Sequence, residues 1–483
     1  MNAPVLPLAD IPIPAEFQSR FEAQRAAYLK APEPSHAERL ADLKALARLV
    51  KENRAAIVAA VDADYGGRSE FVTTFADIFP VLDAVHDATR RLKGWMRPRR
   101  RRVDQMVFAG ASNRLIPQPL GVVGVIVPWN YPLFLSFGPL VGIFAAGNRA
   151  MVKMSENSRR LAELLVEISP KYLAEDKLAF FASGGGGRGP AFSSLAFDHL
   201  IFTGSGATGR AVMATAAKNL TPVTLELGGK SPAIVAPDFP VATAAGRILW
   251  GKTFNAGQTC LAVDYVFLPR GKEAEFVDCC KRLFARRYPD INGGEFTSII
   301  DQRSFDRLTA ALEDARAKGA RLVNLAEGQT PDAGKRKFAP HVVLNATPDM
   351  EVMRREIFGP ILPVLVYDRP EEVVEAVNAG DRPLAIYPFA RDRATQDYYI
   401  SRILSGGVSV NEAMLHVVQH DLPFGGVGGS GMGCYHGRDG FETFSKMRPV
   451  FRQGPFSVVE SLMQPPYSAT ARRMVEFLIW LRG

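Results

Sequence analysis

Two short blocks place a nucleophile and a base in one chain. The first is Phe254-Asn255-Ala256-Gly257-Gln258-Thr259-Cys260; the second, with its glutamate 34 positions before the cysteine, is Thr224-Leu225-Glu226-Leu227-Gly228-Gly229-Lys230. A thiolate adds to carbonyl carbon and leaves again readily, and a carboxylate can activate the water that releases an acyl group. A lone cysteine is more often a small buried hydrophobe. Here Asn255, Gln258 and Thr259 are polar where a core strand would be apolar, and Gly257 permits a close backbone approach to a ligand.

Other blocks carry weaker signals. Gly204-Ser205-Gly206-Ala207-Thr208-Gly209 follows an apolar run and opens a helical stretch, the setting in which backbone amides and a helix dipole meet a pyrophosphate. A plain strand-to-helix turn would need fewer glycines. The same fingerprint seeks an acid ~20 residues on for a ribose, and Glu226 stands at that distance, so spacing leaves Glu226 between ribose ligand and catalytic base. Asn130, between Pro128 and Pro132, is either a rigid amide donor to an oxyanion or the head of an Asx turn, with neither favoured. Lys153 and Glu156 grip a ribose or are surface charges at a helix start. Glu356-Ile357-Phe358-Gly359-Pro360 reads, alone, as a structural turn. His199, His416, His420 and His436 show no ligand spacing, and none is nominated as a partner for Cys260.

Alternating elements must position these residues. Residues 36–95 show helical spacing (Leu40, Leu43, Leu46, Leu49, Ile57, Val61, Ile78, Leu82, Val85). Strands are predicted at 121–127, 149–152, 177–182 and 199–202, with helices over 133–146 and 210–219. Past Gly229 the alternation resumes: strands at 232–235, 265–268, 321–325 and 407–411, helices over 241–252, 272–287 and 301–318. Such alternation predicts parallel sheets with helical crossovers. The glycine-rich stretch 422–440 is predicted to be a loop, and residues 184–189 form a low-complexity glycine tract.

At 483 residues, two or three domains are expected. The net charge of +8 is partly local: Arg97, Arg99, Arg100, Arg101 and Arg102 surround Pro98. No aromatic residue interleaves with them, which argues against nucleic acid and for a solvated loop or an inter-subunit contact. Four cysteines without CxxC spacing indicate neither a zinc site nor a disulfide framework, and a reducing, cytoplasmic setting is expected. Residues 1–16 lack a signal pattern. The apolar run 474–481 is too short to span a bilayer; it reads as an amphipathic closing helix, with a peripheral membrane contact as the alternative.

Taken together, PWNYP at 128, FTGSGATGR at 202, TLELGGKSP at 224, FNAGQTC at 254, EIFGP at 356 and LPFGGVGGSGMGCYHG at 422 resemble the NAD(P)-dependent aldehyde dehydrogenases, over residues 36–452 and in particular their class 3-like branch. The resemblance implies an α/β fold with two parallel-sheet domains and a small β oligomerisation arm. Residues 1–96 and 118–226 would form the N-terminal helices and dinucleotide-binding domain, 227–425 the catalytic domain, and 97–117 with 440–483 the arm and tail. It implies that Cys260 forms a thiohemiacetal and then a thioester, that Asn130 and the Cys260 N–H hold the oxyanion, and that Glu226 activates the hydrolytic water. Gly204, Ser205 and Gly209 would meet the pyrophosphate, Lys153 and Glu156 the adenine ribose, and Glu356 and Phe358 the nicotinamide ribose. NAD is the expected cofactor, with NADP the alternative; the substrate is expected to be an aromatic aldehyde, such as coniferyl aldehyde, or a medium- to long-chain aliphatic one, and the assembly a homodimer. Met154, Gly206 and Val263 depart from the usual pattern, the first two at the adenosine end of the cofactor. A non-catalytic binding member and a cofactor-free thiol hydrolase are the competing readings; the first is disfavoured by the presence of both Cys260 and Glu226, the second by the glycine motif.

Overall fold

Apolar residues recurring at helical spacing bury one face each of His36–Glu52 (Leu43, Leu46, Leu49), Arg54–Tyr65 (Ile57, Val61) and Phe79–Trp95 (Val81, Val85, Leu92). Ser35 and Glu38 close a capping box on the first. Between Glu70–Thr73 and Phe79–Trp95 the chain widens into a π-turn, Thr74–Ile78, which places Asp77 in the interior. The molecule is described here by a computed structural model covering residues 11–182, 188–455, 457, 460 and 463–483; most of the 184–189 glycine tract lies outside the described residues.

Two largely parallel sheets carry the body. The six-stranded sheet runs in the order Gly431–Met432, Val223–Leu227, His199–Gly204, Val122–Ile126, Arg149–Lys153, Leu178–Phe181, and Gly431–Met432 alone is antiparallel. Its strands are buried on both faces, which is why they read as continuous apolar runs. The strand order reverses between Val122–Ile126 and His199–Gly204, and a crevice opens beyond their carboxyl ends at such a switch point. The seven-stranded sheet orders Arg321–Asn324, His341–Leu344, Ile361–Tyr367, Tyr265–Pro269, Pro232–Val235, Ala385–Phe389, Gly407–Val408, with only the first strand antiparallel.

A separate antiparallel sheet joins Arg99–Arg101, Ser112–Pro119 and Ser445–Arg452. Of the arginine cluster, read as a solvated loop or an inter-subunit contact, Arg99–Arg101 form a strand, with Arg100 and Arg101 exposed and Arg99 paired to Glu442 at 2.9 Å. Three other expectations change. The strand over 407–411 is reduced to Gly407–Val408, although Ser409 N and Asn411 N still donate to Ile386 O and Pro388 O before the chain turns at Asn411, φ 57°. The glycine-rich loop contains the short strand Gly431–Met432 and the start of the helix Gly437–Thr443. The C-terminal helix forms, Ala469–Arg482, but it buries only Ala471 and so does not close over the body of its own chain.

Candidate active site

The cysteine loop is built by three consecutive left-handed residues. The chain leaves the helix Val241–Thr253 through Asn255 (φ 51°), Ala256 (φ 52°) and Gly257 (φ 72°). Only glycine fits the third position, since a Cβ there would lie 2.5 Å from the Gly359 carbonyl oxygen and 2.8 Å from that of Lys252. The backbone that Gly257 lets approach is thus the protein's own, not a ligand. The polar neighbours are likewise structural. Gln258 Nε2 donates to Asn255 O (3.1 Å) and Ser298 O (3.0 Å), and its Oε1 accepts from Ile300 N at 2.9 Å. Asn255 Nδ2 donates to Gln258 O, Asn130 O and the Tyr65 hydroxyl at 3.2–3.3 Å. On the far side of Cys260, the Tyr387 hydroxyl donates to Leu261 O at 2.6 Å.

Asn130 stands on a second loop, at the carboxyl end of Val122–Ile126, and is buried. Its carbonyl oxygen accepts from the Tyr65 hydroxyl (3.0 Å), Arg68 Nη1 (3.1 Å) and Asn255 Nδ2 (3.3 Å). None of these bonds uses its side-chain amide. Arg68 in turn pairs with Asp77 at 2.9 Å, both side chains at 0% exposure, and Asp77 Oδ1 accepts from Leu133 N (3.0 Å) and Phe134 N (3.1 Å). The guanidinium lies over the rings of Tyr65 and Tyr131, 4.9 and 5.1 Å from their centroids. The Tyr131 and Thr259 hydroxyls meet at 2.6 Å and tie the asparagine loop to the cysteine loop. No linear signal pointed to Tyr65, Arg68 or Asp77, which lie more than 50 residues from Asn130 or from Cys260 in sequence.

Cys260 and Glu226 line one cavity of ≈ 200 Å³ whose wall is otherwise almost wholly apolar. Its aromatic lining includes Phe75, Phe79, Tyr131, Phe134, Trp250 and Phe254. Phe71, Phe75 and Phe79, one helical turn apart, stack at 5.6 and 6.5 Å with parallel rings and lead from the cavity to solvent. Asn130 itself is not part of the lining; its neighbour Tyr131 is. Glu226 lies in the strand Val223–Leu227 at 3% exposure, and neither carboxylate oxygen has a hydrogen-bond partner among the described residues. Desolvation holds its carboxyl well above the usual range, opposed only in part by the Gly426 backbone. Burial, with the Glu356 and Glu226 carboxylates nearby, pushes the Cys260 thiol up to about 12.

The residues expected to hold a dinucleotide lie around the switch point. Gly204 ends its strand, Ser205 caps the helix Gly206–Ala216 by accepting from Thr208 N at 3.3 Å, and Gly209 packs so closely on Leu227 that a Cβ would lie 2.6 Å from it. The helix N-terminus is open to solvent, as a bound pyrophosphate requires. Lys153 ends the strand Arg149–Lys153 and is buried, while Glu156 is exposed in the turn that follows. Glu356 is half-buried and its Oε1 has no partner among the described residues; desolvation and Asp264 push its carboxyl up to about 8. The Phe358 ring meets Trp129 edge-on at 5.3 Å. The Oε1 of Glu356 is free to accept from a ribose hydroxyl, and with the open helix N-terminus after Gly204 the residues present fit a dinucleotide.

A cysteine and a carboxylate facing one apolar cavity beside a dinucleotide-type switch point define a thiol-dependent dehydrogenase. The sequence matches the aldehyde dehydrogenase family over residues 14–450, and the chain belongs to that family: it is an enzyme that oxidises aldehydes to carboxylic acids. It is 48% identical over 462 residues to a probable coniferyl aldehyde dehydrogenase of Pseudomonas aeruginosa, covering 95% of each chain. It is 43% identical to the coniferyl aldehyde dehydrogenase of Pseudomonas sp. strain HR199, covering 98% of this chain and 99% of that one. Its fold superposes on substrate-bound AldH of Staphylococcus aureus with a TM-score of 0.89 at 30% identity, covering 95% and 99% of the two chains. No helix among the described residues is long and apolar enough to cross a membrane.

Proposed function

We propose that this enzyme oxidises an arylpropenal of the coniferyl aldehyde type with NAD, NADP being the second choice, and that Cys260, Glu226 and Asn130 carry the chemistry. The observation that carries this reading is the aromatic-walled cavity shared by Cys260 and Glu226. A flat conjugated aldehyde suits the Phe75, Phe79 and Phe254 rings, and two of the relatives above bear that substrate in their names.

As its thiolate, Cys260 Sγ bonds to the carbonyl carbon while the C=O π pair moves to oxygen, which the side-chain amide of Asn130 and the Cys260 N–H stabilise as it becomes anionic. A nicotinamide dinucleotide held by Gly204, Ser205, Gly209, Lys153, Glu156, Glu356 and Phe358 supplies the acceptor for the hydride lost from that carbon. Glu226 then takes a proton from water as the water oxygen adds to the thioester carbon; the C–S bond breaks, releasing the acid and the thiolate. Burial raises the Glu226 carboxyl, which makes its ionised form a stronger base than an exposed carboxylate.

The reading extends to a cytoplasmic homodimer, supported by the exposed outer strand Ser445–Arg452 of the small sheet, an edge that invites pairing with a second chain. Light scattering on the purified protein reads its mass. The catalytic test is NADH formation over a panel of aryl and alkyl aldehydes. Arylpropenals are expected to give the highest kcat/KM and Cys260→Ala no turnover. A panel led by long alkyl aldehydes, or an active Cys260→Ala, refutes the reading.

A further inference from the structure

The polar groups in the cavity wall are few, and most are already engaged. Thr259 is bonded to Tyr131, Asp83 Oδ2 meets His420 Nε2 at 2.8 Å, and Asp87 Oδ1 meets Arg91 Nε at 2.8 Å. Outside Cys260 and Glu226, three lining residues carry a buried polar atom with no hydrogen-bond partner among the described residues: His436 Nε2, Asp87 Oδ2 and the Tyr435 hydroxyl. The His436 ring is nevertheless held firmly. It stacks on Phe424 at 5.2 Å and 19°, and packs against Phe134 (5.8 Å) and edge-on against Tyr435 (4.6 Å).

The backbone beneath it is strained. His436 sits at φ 108° and is followed by Gly437 at φ 49°, which presses on the His420 carbonyl so closely that no Cβ would fit. A non-glycine residue held at positive φ persists only where its surroundings over-determine it, and such sites concentrate at ligand clamps. Burial and the neighbouring His420 and His416 push its imidazole down to about 3, so the ring is neutral. A neutral imidazole presents one donor and one bare acceptor.

We propose that His436 Nε2 hydrogen-bonds a hydroxyl on the aromatic ring of the substrate, and so selects para-hydroxylated arylpropenals over their deoxy counterparts. The inference rests on the arylpropenal reading above. A conjugated propenal is rigid and flat, so its ring hydroxyl projects at the opposite end of the molecule from the aldehyde carbon that Cys260 attacks. In an apolar cavity that polar tip needs a partner, or its lost hydration penalises binding. The other ring nitrogen donates to the Val417 backbone, which leaves Nε2 the bare acceptor; a phenolic hydroxyl can donate to it and a methoxy group cannot.

The test compares kcat/KM for 4-hydroxycinnamaldehyde, 4-methoxycinnamaldehyde and cinnamaldehyde. Wild type is expected to favour the hydroxylated substrate by about 10-fold or more over both others. In His436→Phe, which keeps a ring between Phe134 and Phe424, the preference falls to about one, chiefly through a higher KM for the hydroxylated substrate. Should phenylalanine at φ 108° not fold, His436→Gly relieves the backbone, deletes the ring and gives the same readout. The unpartnered Asp87 Oδ2 and Tyr435 hydroxyl are the rival partners. A preference retained in the His436 variants, or abolished instead by Asp87→Asn or Tyr435→Phe, overturns the proposal while leaving the arylpropenal reading intact. A wild type that oxidises no arylpropenal overturns both.

Discussion

Arg68→Met tests how the asparagine loop is held. The substitution leaves the Asp77 carboxylate at 0% exposure with two backbone donors, Leu133 N and Phe134 N, and no counter-charge. Breaking a buried pair by removing one partner costs about 3–5 kcal/mol. At tenfold per ~1.4 kcal/mol, thermal inactivation should accelerate by ~10²–10⁴-fold if the unfolding barrier feels the loss in full. Turnover should suffer separately, because Asn130 O loses one of its three donors and Tyr131 loses the guanidinium over its ring. A displacement near 1 Å of the asparagine amide would lower kcat by ~10²-fold. The double variant Arg68→Met/Asp77→Asn removes the stranded anion and keeps an amide oxygen for Leu133 N and Phe134 N. It should therefore inactivate more slowly than Arg68→Met alone, whereas independent effects would make it faster. The assay is the half-life at fixed temperature, with kcat measured at 25 °C before heating. An Arg68→Met half-life within twofold of wild type, or a double variant as labile as the summed singles, refutes the reasoning.

Cys260 should alkylate slowly. With its thiol near 12, the thiolate fraction at pH 8 is ~10⁻⁴ against ~10⁻¹ for an ordinary thiol, so iodoacetamide should react ~10³-fold more slowly and speed up about tenfold per pH unit without a plateau below pH 10; a plateau near pH 8 contradicts this. Glu226→Gln should cut turnover ~10²–10⁴-fold while an acyl group accumulates on Cys260, visible by intact-mass spectrometry. Because burial raises the Glu226 carboxyl, the base form in wild type is gained as pH rises through that raised value, and hydrolysis should fall on the acid side of it; a pH-independent hydrolysis step would remove Glu226 from the role. Gly257→Ala must place a methyl 2.5 Å from the Gly359 oxygen at φ 72° and should cost at least ~1–3 kcal/mol in stability, together with most activity; a fully active, equally stable Gly257→Ala would show that the loop yields.

Much of the frame was legible because it is local. The strands Val122–Ile126 and His199–Gly204 are continuous apolar runs since both faces are covered, and the glycine motif follows the second directly. Cys260 stood out by its type and setting, although the polar setting proved to be scaffolding: Gln258 and Asn255 bind their own loop and its neighbours, not a ligand. Spacing alone left Glu226 between ribose and water, and the burial of its carboxylate, without a side-chain partner, in the wall shared with Cys260 is what speaks for the base.

The amino-acid order by itself determined the elements, the glycine positions and the presence of a nucleophile and an acid, because helix period, strand run and turn chemistry act within a few residues. Which groups meet was decided only by the tertiary structure. Arg68 and Asp77, the latter inside the π-turn, reach a loop beginning at Pro128, and the aromatic ladder, His436 and Glu226 converge on one cavity from distant segments. Burial sets the protonation of Cys260, Glu226, Glu356 and His436, and desolvation is a property of the packed interior that no stretch of sequence carries alone.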